Sequence, residues 1–189
     1  SLKNIIDIIK KTKEFEGQQP YTVHRIDKET TGILLIAKNR KYAQLFTTIF
    51  RLRKIKKKYL GIVLGEFDNK KGKFEDILYH FEGEKKISSK AITYYEVIDF
   101  NNGYSLLNLI PYTGRKHQLR KQLSIRGHFI IGDNKYRSYD KKINKNNNLM
   151  LHAHKISFII DNIKYNFTAK IPKDFDYVLK KKYLKNVLL

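Results

Sequence analysis

The chain of 189 residues has no cysteine, no tryptophan, three prolines and about half as many acidic as basic side chains. Without cysteine, disulfide scaffolds, cysteine nucleophiles and thiolate metal sites are excluded. No run approaches the roughly 18 apolar residues of a membrane span, and Lys3, Asp7 and Lys10 interrupt the first segment, so it is not a signal peptide. We therefore expect an internal protein, cytoplasmic or organellar if eukaryotic, with no membrane partner.

Positive charge and large apolar side chains are abundant. Lys and Arg number 39 against 18 Asp and Glu, which gives a formal net charge of +21. Hydrophobic residues make up 41% of the chain, including 13 Tyr and 11 Phe, so it carries enough apolar surface to fold. The cations run along the whole sequence, which predicts a basic folded surface that neutralises phosphates. Nucleic acid is the expected partner.

Hydrophobic periodicity predicts a single α+β domain on a mixed, largely antiparallel sheet with flanking helices. Helical spacing predicts helices over 2–9, from a cap at Asn39 to 52, over 114–126 and over 173–182. Apolar runs and alternation predict strands at 32–37, 59–64, 91–98, 104–110, 149–160 and 164–171, with a polar loop at 140–148. We expect one domain over residues 1–189 that acts as a monomer.

The segment 24–32, with the sequence HRIDKETTG, is too polar for a core and leads directly into an apolar run. A loop of this kind displays working groups on a rigid scaffold. Asp27 lies between Arg25 and Lys28, and a nearby cation would favour its ionised form. The structural alternative is a turn Asp that accepts backbone N–H bonds.

The segment 113–120, with the sequence TGRKHQLR, places a hydroxyl, a glycine and two arginines at the start of a predicted helix. Helix starts attract anions through unpaired N–H groups and the macrodipole, so a phosphate or carboxylate is a natural occupant. A solvated basic helix start is the alternative.

Two further features involve rings. Tyr59 follows three lysines at the start of a strand, so an aromatic face lies beside dense positive charge, as stacking on a nucleobase requires. An ordinary strand tyrosine is the alternative. His152 and His154 share one face of a predicted strand and could form half of a metal site.

Four segments, in order, resemble the signature motifs of the RluA-type pseudouridine synthases. Segment 24–32 resembles H-R-L-D-x-x-T-S-G, with Ile26 and Thr31 in place of Leu and Ser. The segments 57–65, 113–136 and 149–153 resemble K-x-Y with its glycine, T-G-R-x-H-Q-I-R with its G-D-x-x-Y sequel, and L-M-L-H-A. Gln122 stands where the family usually has His. Because the family's K-P-x-G strand and an S4-like module are not seen, we expect a catalytic domain that lacks its N-terminal strand and any upstream RNA-binding module.

The resemblance implies the isomerisation of specific uridines in structured rRNA or tRNA, without cofactor or metal. The N-glycosidic bond breaks, the uracil turns, and C5 is joined to C1′. Asp27 would be the essential carboxylate that attacks C1′ or removes a sugar proton, with Arg120 as its cationic partner and Tyr59 against the uracil, where it could assist proton transfer from C5. The implied RNA-binding or substrate-binding residues are His24, Arg25, Thr30, Lys57, Lys58, Thr113, Gly114, Arg115, His117, Gln118 and Leu151.

Two other classes stay open from the residues alone. A non-catalytic RNA-binding protein, either a degenerate synthase or an RNA chaperone, would use the same basic surface, although the presence of Asp27, Tyr59 and Arg120 favours the enzyme. A metal-dependent nuclease or phosphatase would use Asp27, Asp133 and the histidine pair. The spacing of those ligands matches no pattern that a metal geometry demands.

Overall fold

The structure is a computed structural model and describes residues 2–16, 18–136 and 148–185. The predicted polar loop 140–148 lies outside the described residues except for Asn148. In chain order the elements are α1 (Leu2–Lys10), β1 (Tyr21–Thr22), β2 (Thr31–Gly32), β3 (Ile36–Ala37), α2 (Arg40–Arg51), β4 (Lys56–Leu64), β5 (Lys71–Glu82), β6 (Lys85–Asn101), β7 (Tyr104–Pro111), α3 (Gln118–Ile125), β8 (Leu151–Ile160), β9 (Ile163–Thr168) and α4 (Lys173–Lys181).

The fold is built on a seven-stranded sheet. Its strand order is β2-β8-β4-β7-β6-β5, and β9 also pairs with β8. β2 runs parallel to β8, and the other described pairs of this sheet are antiparallel. The predicted α+β class with a largely antiparallel sheet is therefore confirmed. None of the described helices is long and apolar enough to span a membrane.

Both faces of the sheet are covered, and strand alternation decides which side chain lies on which face. Tyr59 pairs with Ala153, so its side chain lies on the face opposite that of His152. On the Tyr59 face, α3 packs through Gln122. On the other face, the ring of Phe175 from α4 lies 6.1 Å from that of His152. The core between these layers includes the fully buried side chains of Ile62, Leu106, Leu107, Leu109, Leu123 and Leu179.

Helix α2 begins at its predicted cap and ends in a left-handed turn that lacks the usual glycine. The side chain of Asn39 accepts a hydrogen bond from the backbone N–H of Tyr42, which confirms the predicted cap. At the other end Lys54 N–H bonds to Ile49 O, and Arg53 N–H bonds to Phe50 O, which is the Schellman pattern. Arg53 occupies the left-handed position of this motif, with φ 56°, where glycine is usual.

The structure differs from the elements predicted from the sequence most clearly at three places. The run 32–37 is split, because Gly32 adopts φ +106° and the chain leaves β8 for a separate pairing of β3 with β1. Strand β5 was missed, because its apolar residues Phe74, Ile77, Leu78 and Phe81 follow helical spacing and only pairing with β6 makes the segment extended. Helix α3 begins at Gln118 rather than at residue 114.

Candidate active site

The loop before β2, strand β4 and the segment before α3 meet around one cavity of about 250 Å³. The cavity is slightly smaller than the roughly 300–1,000 Å³ of pockets for drug-sized ligands, so it suits a small group. Most of the predicted site residues line it, namely Arg25, Asp27, Thr30, Lys57, Tyr59, Thr113, Gly114, Arg115, His117, Gln118 and Leu151.

The loop that carries Asp27 is fixed at its C-terminal end. Thr30 N–H donates to the carbonyl of Asp27 at 3.0 Å, which closes a turn. The Thr31 hydroxyl shares a 2.8 Å hydrogen bond with His152 Nδ1 on β8. A Cβ on Gly32 would lie 2.3 Å from the carbonyl oxygen of Ala153, so glycine is required where β2 meets β8. These contacts hold the carboxylate at a defined place on the sheet.

Arg120 faces Asp27 from the buried side of the site. Its Nη1 lies 3.8 Å from Asp27 Oδ2, and its side chain is only 3% exposed. Two hydrogen bonds of 2.8 Å join its Nε and Nη2 to Asp133. Burial alone would favour protonated Asp133, but the bonds from Arg120 and from the backbone N–H groups of Lys135 and Tyr136 hold its pKa below the usual value.

His117 forms the second polar neighbour of the carboxylate. Its Nε2 lies 3.9 Å from Asp27 Oδ1, and its Nδ1 shares a 2.9 Å hydrogen bond with the Tyr136 hydroxyl. Burial lowers the pKa of His117, and the opposing attraction of Asp27 does not reverse the shift. The ring is therefore mainly neutral at pH 7, and Arg120 is the permanent cation beside Asp27.

Strand β4 supplies Lys57 and Tyr59 to the cavity, because alternate residues of a strand share a face. Burial, and then the negative charge of Asp27, raise the pKa of Tyr59 to about 12. Tyr59 therefore presents a protonated hydroxyl at neutral pH. Burial also lowers the pKa of Lys57. Lys58 lies between them, is exposed and does not line the cavity, so the structure separates it from the other predicted residues.

The segment before α3 is organised by Gln118, which is 3% exposed. Its Oε1 accepts hydrogen bonds from the Thr113 hydroxyl at 2.7 Å and from Arg115 N–H at 3.0 Å. Its Nε2 donates to the carbonyl of Ile92 and to the Thr93 hydroxyl. The Gln118 carboxamide thus shapes the cavity wall, and its role in substrate binding stays a prediction.

Gln122, the departure from the motif, lies next in this buried network and is fully buried. It accepts a 2.6 Å hydrogen bond from Thr93 and donates a 2.8 Å hydrogen bond to Asp76 on β5. Asp76 is in turn bonded by Arg126. Gln122, which stands where the family usually has His, therefore joins α3 to strands β6 and β5.

Comparison with known proteins gives matches to one family. The sequence model of a family described as RNA pseudouridylate synthase matches residues 2–125, which is more than half of the chain. The ribosomal large subunit pseudouridine synthase D of Borreliella burgdorferi is 33% identical over 176 residues, covering 89% of this chain and 54% of that protein.

The chain belongs to the RNA pseudouridylate synthase family. The tRNA pseudouridine synthase C of Haemophilus ducreyi is 33% identical over 165 residues, covering 75% of this chain and 68% of that protein. The ribosomal large subunit pseudouridine synthase C of Rickettsia bellii is 34% identical over 184 residues, covering 92% and 61%. This synthase-family chain thus spans about half to two thirds of the length of these relatives.

The fold agrees with that assignment. The solved structure of human RNA pseudouridylate synthase domain containing 4 superposes with a TM-score of 0.83 at 24% identity, covering 98% of this chain and 84% of that chain. Human RNA pseudouridylate synthase domain containing 1 gives a TM-score of 0.72 at 22% identity, covering 81% and 69%. The sheet with helices on both faces is therefore a pseudouridylate synthase fold.

Within this synthase fold, the remaining predicted residues take different places. His24 lies outside the cavity, where its Nε2 accepts a 2.7 Å hydrogen bond from Leu35 N–H and its ring stacks on Phe50. Burial, and then Lys57, lower the pKa of His24 to about 4. The neutral ring thus joins the loop before Asp27 to the chain after β2.

Two residues of the candidate site, Asp133 and Tyr136, are not among the catalytic or binding residues predicted from the sequence. From the sequence, Asp133 is only a candidate metal ligand and Tyr136 has no expected role, although both lie in the segment that resembles G-D-x-x-Y. Asp133 anchors Arg120, and the Arg120 guanidinium also lies over the Tyr136 ring at 5.3 Å. Among the described residues no His, Asp and Glu cluster could hold a metal ion, so the ligand set of the nuclease alternative is not assembled.

Proposed function

We propose that this chain converts specific uridines in structured rRNA or tRNA to pseudouridine, with Asp27 as the essential carboxylate. The observation that carries the proposal is the position of Asp27 in the small cavity, with Arg120 Nη1 at 3.8 Å and Tyr59 in the same wall. Family membership supports the activity. The relatives' names include both ribosomal large subunit and tRNA enzymes, which supports the two RNA classes.

The proposed reaction needs few groups besides these side chains. Substrate and product are isomers, so the reaction requires no oxidant, reductant or co-reactant, and we propose that it runs without cofactor or metal. The Arg120 cation stabilises the Asp27 anion, which either attacks C1′ or removes a sugar proton while the glycosidic bond breaks. The uracil then turns within the cavity and C5 joins C1′, which releases Asp27 from C1′ or returns its proton to the sugar. The proton on C5 passes to water, directly or through the freed Asp27 carboxylate, and N1 takes up a proton, so substrate and product balance.

Tyr59 enters the reaction as a protonated phenol. With a pKa of about 12, its phenolate amounts to on the order of one molecule in 100,000 at pH 7. The protonated ring offers a stacking face and a hydrogen-bond donor beside Asp27. The target must leave its helix or loop at a cost of a few kcal/mol, which contacts between the basic surface and the phosphates offset.

The test is Asp27→Asn, which removes the charge and keeps the shape. A map of pseudouridine in total RNA, with and without the wild-type protein, first identifies the substrate. On that RNA we expect the variant to lose at least two to four orders of magnitude in single-turnover rate. Its RNA affinity and melting temperature should stay near those of the wild type. More than about a hundredth of the wild-type rate would contradict the role of Asp27.

The non-catalytic alternative makes a different prediction. An RNA-binding protein or chaperone would bind RNA with the same affinity in both forms and produce no pseudouridine in either. A wild-type protein that binds structured RNA but changes no uridine in the map would establish that alternative.

A further inference from the structure

A second cavity, larger than the first, adjoins the proposed active site. Its volume is about 440 Å³, and it lies between the loop before β2, the end of α2 and the segment after β7. The two cavities share a wall made of Arg25, Lys57, Thr113, Gly114 and Arg115. A chain molecule that places one unit in the first cavity can therefore pass its neighbouring unit into the second.

The second cavity is strongly basic. Two arginines from the end of α2, Arg51 and Arg53, line it together with the cations of the shared wall. Of the residues that the structure describes, none of those lining this cavity is acidic. Five cations in one concave wall create a potential that binds an anion such as a phosphodiester.

The same cavity offers flat surfaces. The Arg53 guanidinium lies over the ring of Tyr112 at 4.8 Å, and Tyr112 is 48% exposed. In the same cavity, the ring of Phe50 stacks on the ring of His24. An exposed aromatic ring paired with a guanidinium is the arrangement on which a nucleobase stacks.

Arg53 also has an unusual backbone conformation, which it shares with six other described non-glycine residues. Its φ of 56° is one that glycine adopts without strain. A strained non-glycine residue at the rim of a cavity is a reason to look for a role of its side chain.

We propose that this second cavity binds the nucleotide next to the target uridine, with its phosphate on the shared basic wall and its base against Arg53 and Tyr112. The inference rests on the proposed function, because it takes the first cavity as the uridine site. It assigns RNA-binding roles to Arg53 and Tyr112, and it makes the cavity a place where the sequence beside the target is sensed.

The test uses Arg53→Gly and Tyr112→Leu in the full chain. Glycine relieves the positive φ, so this variant should melt at or above the wild-type temperature, which separates binding from folding. A labelled single-stranded oligouridylate is the probe for affinity. We expect Tyr112→Leu to raise its Kd roughly fivefold or more. Arg53→Gly should make the log–log salt dependence shallower by about 0.7.

Matched controls lie on the opposite face of the sheet. Lys181 lies over the exposed ring of Tyr177 at 5.7 Å, so α4 carries a second cation and aromatic pair away from both cavities. Lys181→Ala and Tyr177→Leu should leave Kd within about twofold of the wild type. If the cavity variants behave like these controls, the second cavity does not bind RNA and the proposal is wrong.

Kinetics separate this inference from the proposed function. On the RNA in which the wild type forms pseudouridine, both cavity variants should raise KM several-fold and keep kcat near normal, because the contacts position RNA without touching the uracil. If both variants form pseudouridine with the KM of the wild type, the proposed nucleotide subsite is wrong and the proposed function is unaffected. If the wild type forms no pseudouridine but the variants bind oligouridylate more weakly, the proposed function is wrong and the nucleotide site is supported.

Discussion

Arg120 presents Nη1 to Asp27 at 3.8 Å because its Nε and Nη2 are both bonded to Asp133 at 2.8 Å. A planar guanidinium can make this bidentate bond and still aim a third nitrogen elsewhere, whereas an ammonium cannot. Glu29 lies 3.3 Å from Nη2 but is 44% exposed, so water screens it. The position of the cation beside Asp27 is therefore decided by Asp133.

The first prediction follows from this geometry. Arg120→Lys keeps the positive charge but loses the planar guanidinium that bonds Asp133 with two nitrogens. We therefore expect the single-turnover rate to fall on the order of a hundredfold while RNA affinity changes little. Glu29→Gln is the control, and its rate should stay within about threefold of the wild type. A wild-type rate for Arg120→Lys would show that a positive charge at this position is sufficient for the reaction without the bidentate guanidinium.

The second prediction concerns Tyr59. Tyr59→Phe keeps the stacking ring and removes the hydroxyl donor, so RNA affinity should stay near normal while turnover slows. Tyr59→Leu should lose affinity as well, by roughly 1–3 kcal/mol. The measurement pairs RNA binding with single-turnover rates at saturating RNA. Equal rates for Phe and wild type would restrict Tyr59 to stacking.

The third prediction separates two neighbouring lysines. Lys57 lines both cavities and is partly buried, whereas Lys58 is exposed and lines neither. Lys57→Met should weaken RNA binding about tenfold without loss of stability, because methionine fills the space and removes a desolvated charge. Lys58→Met should have a much smaller effect. Equal effects would favour the motif-based expectation that both lysines bind RNA.

The fourth prediction is a pH dependence of stability. The folded pKa of His24, about 4, lies below the unfolded value of 6.5, so the unfolded chain takes up this proton first as the pH falls. The corresponding stability, on the order of 3 kcal/mol, is present above pH 6.5 and is lost as the pH falls to about 4.

Denaturant unfolding of the wild type and of His24→Gln at several pH values measures this effect. Glutamine can still accept the hydrogen bond from Leu35 N–H but does not titrate. The stability difference between the two proteins should therefore shrink as the pH falls from 6.5 to 4. A constant difference over that range would contradict the prediction.

Local sequence was sufficient for several features of the fold. The Asn39 cap and the apolar spacing of α4 depend on residues that are near one another in the chain, so the pattern and the structure agree. The segment that became β5 has helical spacing, and its extended form comes from 12 residue pairs with β6. Such a non-local partner is invisible in a local pattern.

The sequence by itself determined the basic character of the surface, the α+β class, the family motifs and the identity of Asp27, Tyr59 and Arg120 as candidates, because charge, periodicity and motif order are properties of the chain. Tertiary structure alone decided which of these side chains meet. It placed Asp133 against Arg120, turned the Gln118 side chain inward, and formed a second cavity beside the first. Those outcomes depend on strand pairing and on helix packing between residues far apart in the chain, which set the distance and the facing of each side chain.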